Sequence, residues 1–231
     1  MSIISANLQA VQRHISEAAQ KASRNPASIS LVAVSKTCPP QAIIQAARAG
    51  QHAFGENYEQ EAIQKMQQIQ EMAPDLMLEW HFIGPIQSNK TRSIAAHFDW
   101  VHSVDRERIA RRLSEQRPDT LPPLNVCLQV NISHENSKSG IDEDTVFELA
   151  RVTSTLPRLK LRGLMAIPKP QDDLQKQHEP FHRLKNLYDR LREQGYDLDT
   201  LSMGMTADMD AAIAEGATII RIGTAIFGAR D

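Results

Sequence analysis

Apolar positions along this chain follow two alternating rhythms. At the N-terminus Ile4, Leu8, Val11 and Ile15 fall three or four residues apart, which predicts an amphipathic helix over Ser2–Lys21 that Asn25-Pro26 ends. From there, short runs rich in β-branched residues alternate with longer amphipathic stretches. The runs are Ile29–Val34, His52–Phe54, Trp80–Ile83, Trp100–Val104, Leu124–Val130, Leu161–Ala166, Thr200–Met203 and Ile219–Ile222. Helical spacing recurs between them, over Pro40–Ala49, Tyr58–Glu71, Lys90–His97, Arg106–Gln116, Asp142–Leu156, Glu179–Gln194 and Thr206–Glu215. A short stretch, Ala225–Ala229, follows the last run.

Strict strand–helix alternation implies parallel strands joined by helical crossovers. The runs are mostly continuous rather than alternating, as strands covered on both faces require. The expected fold is therefore an α/β protein, a single (β/α)8 TIM barrel carrying an extra N-terminal helix. A doubly wound open sheet is the runner-up. Its usual mark is a glycine-rich first turn, whereas the turn after Val34 reads Ser-Lys-Thr-Cys-Pro-Pro. No linker or low-complexity stretch divides the chain, so one domain is expected over residues 1–231.

Composition narrows the function. The 231 residues carry 26 Lys+Arg against 28 Asp+Glu, a net charge of -2, which argues against binding nucleic acid or a membrane surface by bulk charge. The most apolar stretch, Gly216–Ala229, contains Arg221 and falls short of the roughly 18 apolar residues a spanning helix needs. Cys38 and Cys127 make no disulfide framework, and with no signal-like N-terminus the expected location is cytoplasmic.

In a barrel of this kind, function gathers at the C-terminal ends of the strands. Those ends are polar here: Ser35-Lys36, Gly55-Glu56-Asn57, Gly84-Pro85, Asn131, the Asn136–Gly140 segment, Ser202–Thr206, and Arg221 followed by Gly223-Thr224. Lys36 shares a strand face with Val32 and Val34, so if the valines point inward it projects over the barrel mouth. An uncharged amine is what Schiff-base chemistry needs, and partial desolvation favours it. Gly204 and Gly223 let the backbone approach a ligand closely, and Ser202, Thr206 and Thr224 add hydroxyls. Thr206 reads as the N-cap of the helix that follows. A helix start beside glycine turns after strands seven and eight is a phosphate-binding arrangement. A lysine at one side and a phosphate cradle at the other suit pyridoxal 5′-phosphate.

Several motifs occur in a fixed order. They are Val34-Ser35-Lys36-Thr37, Phe54-Gly55-Glu56-Asn57-Tyr58, Trp80–Pro85, Gln87-Ser88-Asn89-Lys90, Ser137-Lys138-Ser139-Gly140, Gly163-Leu164-Met165-Ala166, Ser202-Met203-Gly204-Met205 and Arg221–Gly228. Together they resemble the pyridoxal phosphate homeostasis proteins, the YggS/PROSC family, over about Ile29 to Arg230. The resemblance implies a barrel similar to the N-terminal domain of alanine racemase, without that enzyme's C-terminal β domain. It implies a Schiff base between Lys36 and the cofactor. Ser202, Met203, Gly204 and Thr206 with Gly223 and Thr224 would hold the phosphate. Arg221 would lie against the pyridine nitrogen, and Asn57 and Met165 would line the ring. One departure stands out: the family's second lysine in the first motif is Cys38 here.

Arginine at the ring nitrogen disfavours its protonation, which weakens the cofactor as an electron sink. A racemase also needs a second base, and the racemase family takes it from the added domain. Tyr58 and His81 are the only candidates near the mouth, while Tyr188 and Tyr196 fall in or after an outer helix. The favoured reading is a non-catalytic carrier serving intracellular vitamin B6 homeostasis. It would be a monomer that limits reactive aldehyde and, by the resemblance, passes the cofactor to apoenzymes. A weak amino-acid racemase is the alternative. His178-Glu179-Pro180-Phe181-His182 also matches the zinc peptidase pattern, but proline is expected to start the helix and leave His178 outside it. The cluster of Arg106, Arg108, Arg111 and Arg112 with Glu107 and Glu115 reads as a solvated helix face, and Cys127 as core.

Overall fold

The computed structural model describes residues 2–134, 139–171 and 173–229. Eight parallel strands close into one barrel in chain order, with β1 hydrogen-bonded to both β2 and β8. The strands are β1 (Ser30–Val34), β2 (Ala53–Glu56), β3 (Glu79–Phe82), β4 (Trp100–Val104), β5 (Leu124–Gln129), β6 (Leu159–Met165), β7 (Thr200–Ser202) and β8 (Ile219–Ile222). Helices α1 (Ile3–Lys21), α2 (Pro40–Arg48), α3 (Glu59–Met72), α4 (Thr91–His97), α5 (Glu107–Gln116), α6 (Val146–Ser154), α7 (Leu174–Glu193), α8 (Met209–Ala214) and α9 (Thr224–Phe227) surround them. The open-sheet alternative is thereby excluded.

Two apolar layers hold the barrel. The outer one lies between strands and helices, where Phe54, Phe98, Ile109, Leu128 and Phe181 are fully enclosed. The inner one fills the barrel itself with Val32, Trp100, Cys127, Met165 and Ile219. Residues alternate along a strand, so β1 sends Val32 inward and Ala33 outward into the other layer. The extra helix α1 starts at Ser2, whose hydroxyl accepts from Ser5 N. It packs on α8 and α9 and is tied to the latter by Asn7 Nδ2 donating to Ile226 O at 3.0 Å. It thus covers the seam where the last unit meets the first.

Three local expectations differ from the fold. Helix α7 begins at Leu174 rather than near Pro180, because the Asp173 side chain caps it by accepting from Gln175 N at 2.9 Å. Proline inside this helix leaves the Lys176 carbonyl without its usual intrahelical partner. His178 and His182 therefore share a helix face after all, and both ring Nδ1 atoms face Glu215, at 2.9 and 3.0 Å. Among the described residues, no group of three His, Cys, Asp or Glu could hold a metal ion. Helix α8 starts at Met209, so Thr206 is not its N-cap; Asp208 occupies that position. Asp208 Oδ1 instead accepts from Met205 N at 2.6 Å, which closes a turn before the helix and leaves Thr206 exposed. Lastly, α6 begins at Val146 rather than Asp142, after a tighter turn over Glu143–Thr145. No helix among the described residues is long and apolar enough to cross a membrane.

Candidate functional site

The C-terminal mouth of the barrel is built from the ends of β1, β2, β6, β7 and β8. In β1, Val32 is enclosed while Val34 is half-buried, so the inner layer opens toward the mouth between them. Ser35 turns into the wall, and Lys36 stands half-buried at the strand end. The β1–β8 register pairs Val32 with Arg221 and Ala33 with Ile222. Continued past the strand ends, it sets Val34 and Ser35, just before Lys36, beside the Gly223-Thr224 start of α9.

The turn that carries Lys36 is held from behind by buried charge. Lys65, on α3, donates to Ser35 O at 2.9 Å, to Glu56 Oε1 at 2.6 Å and to Glu61 Oε1 at 2.7 Å. Ser35 Oγ donates to the same Glu56 oxygen at 2.6 Å, and Thr37 N donates to Glu61 Oε1 at 2.6 Å. Both peptides flanking Lys36 are thus fixed to one ion cluster. The clamp matters because Thr37 adopts φ 60°, a left-handed conformation costly for a β-branched residue. Burial raises the Glu56 carboxyl above its ordinary value, opposed by the Lys65 ammonium.

Arg221 is the second buried charge. The residue is 4% exposed, and its Nη1 donates to Ser202 Oγ at 2.6 Å while Nη2 donates to Ala166 O at 3.0 Å. Burial pushes its pKa down to about 10, so it stays protonated at neutral pH. These two bonds use two of the five donors a guanidinium carries.

The other expected residues divide into two groups. Ser202 and Met165 are buried within the barrel beneath the mouth. Asn57 is half-buried at the end of β2, where its main chain passes so close to Gly84 that a Cβ there would sit 2.3 Å from Asn57 O. Gly204, at φ 98°, lets the turn after β7 tuck against α8, since a Cβ would meet Ala212 at 2.6 Å. Gly223 is the N-cap of α9, whose first amides have no acceptor within the helix. Thr224 and Thr206 are both exposed around this rim. Met203 is different: its side chain is fully enclosed in the outer apolar layer, so only its main chain can face a ligand. Ser137 and Lys138 lie outside the described residues.

The two candidate second bases sit in different settings. His81 lies inside the barrel with both ring nitrogens engaged, by Glu79 Oε1 at 2.8 Å and His102 Nε2 at 2.8 Å. Tyr58 is 56% exposed beside the cleft that Asn57 lines. Tyr188 donates to Leu198 O behind the barrel. Sequence reasoning missed Lys65, Glu61 and His102. Lys65 did leave a signal, a lysine within the stripe Ala62–Lys65–Ile69 that the helix buries.

The residues fit a phosphorylated aromatic aldehyde: an amine at one side, a buried guanidinium with donors to spare, and a glycine-hinged rim of amides and hydroxyls. Comparison with known proteins bears on that fit. Residues 6–231 match the family model described as alanine racemase, N-terminal domain. Over 231 residues the chain is 58% identical to the pyridoxal phosphate homeostasis protein of Pseudomonas aeruginosa, covering 100% of this chain and 97% of that one. It is 55% identical to the protein of the same name from Vibrio alginolyticus, covering 100% and 99%. PipY of Synechococcus elongatus, solved with PLP bound, superposes with a TM-score of 0.80 at 39% identity, covering 93% of this chain and 100% of that one.

Proposed function

The chain belongs to the pyridoxal phosphate homeostasis family, and on that premise we propose that it binds pyridoxal 5′-phosphate at the C-terminal mouth of its barrel. Lys36 Nζ is the amine that forms the Schiff base. Arg221 lies against the pyridine nitrogen as a hydrogen-bond donor. The backbone of Ser202–Gly204, with Gly223, Thr224 and Thr206, receives the phosphate, and Asn57 and Met165 border the ring. The observation that carries this reading is a half-buried lysine just past the end of β1 together with a buried arginine on β8, the strand paired with β1 in the closed sheet.

Bound here, the cofactor supplies a reactive aldehyde. The protein's own groups hold it rather than turn it over. Arg221 keeps a fixed positive charge at the nitrogen's position, which disfavours protonating that nitrogen. Of the two candidate second bases, His81 has both ring nitrogens hydrogen-bonded, and Tyr58 is exposed beside the cleft that Asn57 lines. We therefore read the protein as a single-domain, monomeric, cytoplasmic carrier. It limits free aldehyde and delivers it to apoenzymes that depend on it.

The test is a visible spectrum of the purified protein with added pyridoxal phosphate, before and after borohydride, followed by peptide mass mapping. A yellow band that borohydride bleaches, with a pyridoxyl group on the Lys36 peptide, is expected. A protein that takes up no pyridoxal phosphate overturns the reading. Loaded protein that racemises alanine overturns the carrier role alone.

A further inference from the structure

Between the two mouths of the barrel runs one continuous column of hydrogen-bonded side chains. It begins at Glu79, the first residue of β3, whose side chain is half exposed at the N-terminal mouth. Glu79 Oε1 lies 2.8 Å from His81 Nε2, and His81 Nδ1 lies 2.8 Å from His102 Nε2. His102 Nδ1 lies 2.7 Å from Ser202 Oγ, which accepts from Arg221 Nη1 at 2.6 Å. His81, His102, Ser202 and Arg221 are all buried, and His81 stacks on Trp100 at 5.4 Å.

With both imidazoles neutral, the chemistry of the two ends sets the direction of every bond. A guanidinium only donates, so Ser202 Oγ accepts from Arg221 and has one hydrogen left to give. A carboxylate only accepts, so His81 Nε2 carries a proton toward Glu79. With one proton on its ring, His81 then accepts at Nδ1, and His102 must donate from Nε2. His102 accepts at Nδ1, where the Ser202 hydroxyl delivers its hydrogen. All donors thus point from Arg221 toward Glu79. The reverse arrangement sets an imidazole lone pair against the carboxylate and strands the serine hydrogen. Which nitrogen of a histidine is protonated is set by the partner of the other one. His102 is held neutral, since burial depresses its pKa far below the ordinary range and the neighbouring Arg221 guanidinium adds to this.

We propose that Glu79, His81 and His102 are positioning residues that act through Ser202 to fix the orientation of Arg221, so that a carboxylate at the N-terminal mouth controls the group meeting the cofactor at the other. Arg162, a cation that acts on Glu79 from that end, is paired with Asp199 at 2.6 Å and lies over the Trp100 ring at 4.4 Å. The role toward the cofactor rests on the pyridoxal phosphate reading, whereas the direction of the column does not.

Nitrogen-15 NMR of the full chain without cofactor tests the column. Both His81 and His102 are expected as neutral rings protonated at Nε2. Glu79→Met, at a half-exposed position, removes the acceptor that pins the column. It is expected to populate the Nδ1-protonated form of His102, two hydrogen bonds away. Glu79→Gln, whose amide oxygen accepts the same proton, is expected to restore the single form. Asp210→Asn, which removes the exposed carboxylate beside His14, is expected to leave His102 unchanged. In protein loaded with pyridoxal phosphate, Glu79→Met is expected to shift the absorption maximum of the bound cofactor. An Nδ1-protonated His102 in the unmodified protein, or a His102 signal indifferent to Glu79→Met, overturns the column. A normal column with an unmoved cofactor band overturns the positioning role. Failure to bind pyridoxal phosphate at all refutes the earlier reading while the NMR result stands.

Discussion

Replacing Lys65 with methionine isolates the ion cluster behind Lys36. The Lys65 side chain is 5% exposed and that of Glu56 is 0%. Methionine matches the lysine stem in length, so packing is largely kept and the loss is electrostatic. Removing one partner of a buried ion pair costs about 3–5 kcal/mol, because the remaining charge is stranded. That is a third or more of a stability near the middle of the usual range of roughly 5–15 kcal/mol. With an m-value of about 3 kcal/mol/M, the urea midpoint falls by about 1–1.7 M. The pH dependence carries the signature. The folded-state Glu56 carboxyl already titrates above its ordinary 4.5 through burial, and losing Lys65 raises it further. A raised acid stabilises the fold below its unfolded value and loses that contribution as pH rises through the folded one. The defect is therefore smaller at pH 5 than at pH 8. Adding Glu56→Gln recovers part of it by removing the stranded charge. A cost under about 1 kcal/mol at pH 8, or a defect that grows on acidification, would refute the reasoning.

Gly163→Ala places a Cβ 1.7 Å from Thr200 O, against backbone that cannot yield, and so prises β6 from β7. The expected cost, at or above the usual overpacking range of about 1–3 kcal/mol, is read by thermal unfolding. The Cys127 thiol, sealed in the barrel, is pushed up to about 12, so a thiol reagent at pH 8 leaves it unmodified until urea is added. His102 stays neutral when folded, while its ordinary value is 6.5, so the unfolded chain takes up a proton there first as pH falls. Its contribution to stability is present above about pH 6.5 and declines below it by up to about 1.4 kcal/mol per pH unit. His102→Gln is expected to flatten the acid limb of a urea-stability profile by that amount.

What the chain determines by itself is what depends on neighbours a few residues away. Continuous apolar runs between helical stripes are a local property, and they predict a closed barrel that the eight strands form. The period of two along β1 carries Val32 and Val34 to Lys36 without knowing any partner, whereas the place of Arg221 came from the family resemblance and its burial inside the barrel from the structure. Local signals failed where a competing side chain was at hand. Asp173 caps α7 ahead of Pro180, and Asp208 takes the N-cap position expected of Thr206. Only the tertiary structure decided which charges meet. Lys65 is an odd lysine in an apolar stripe until the packing of α3 on the end of β2 brings it to Glu56 and the Ser35 carbonyl. His102 and Ser202 stand a hundred residues apart in sequence and 2.7 Å apart in the barrel. Such pairings are set by strand register around a closed sheet, where a shift of one residue turns every side chain to the opposite face. Periodicity tells each strand which residues face inward; only closure of the sheet tells them what they face.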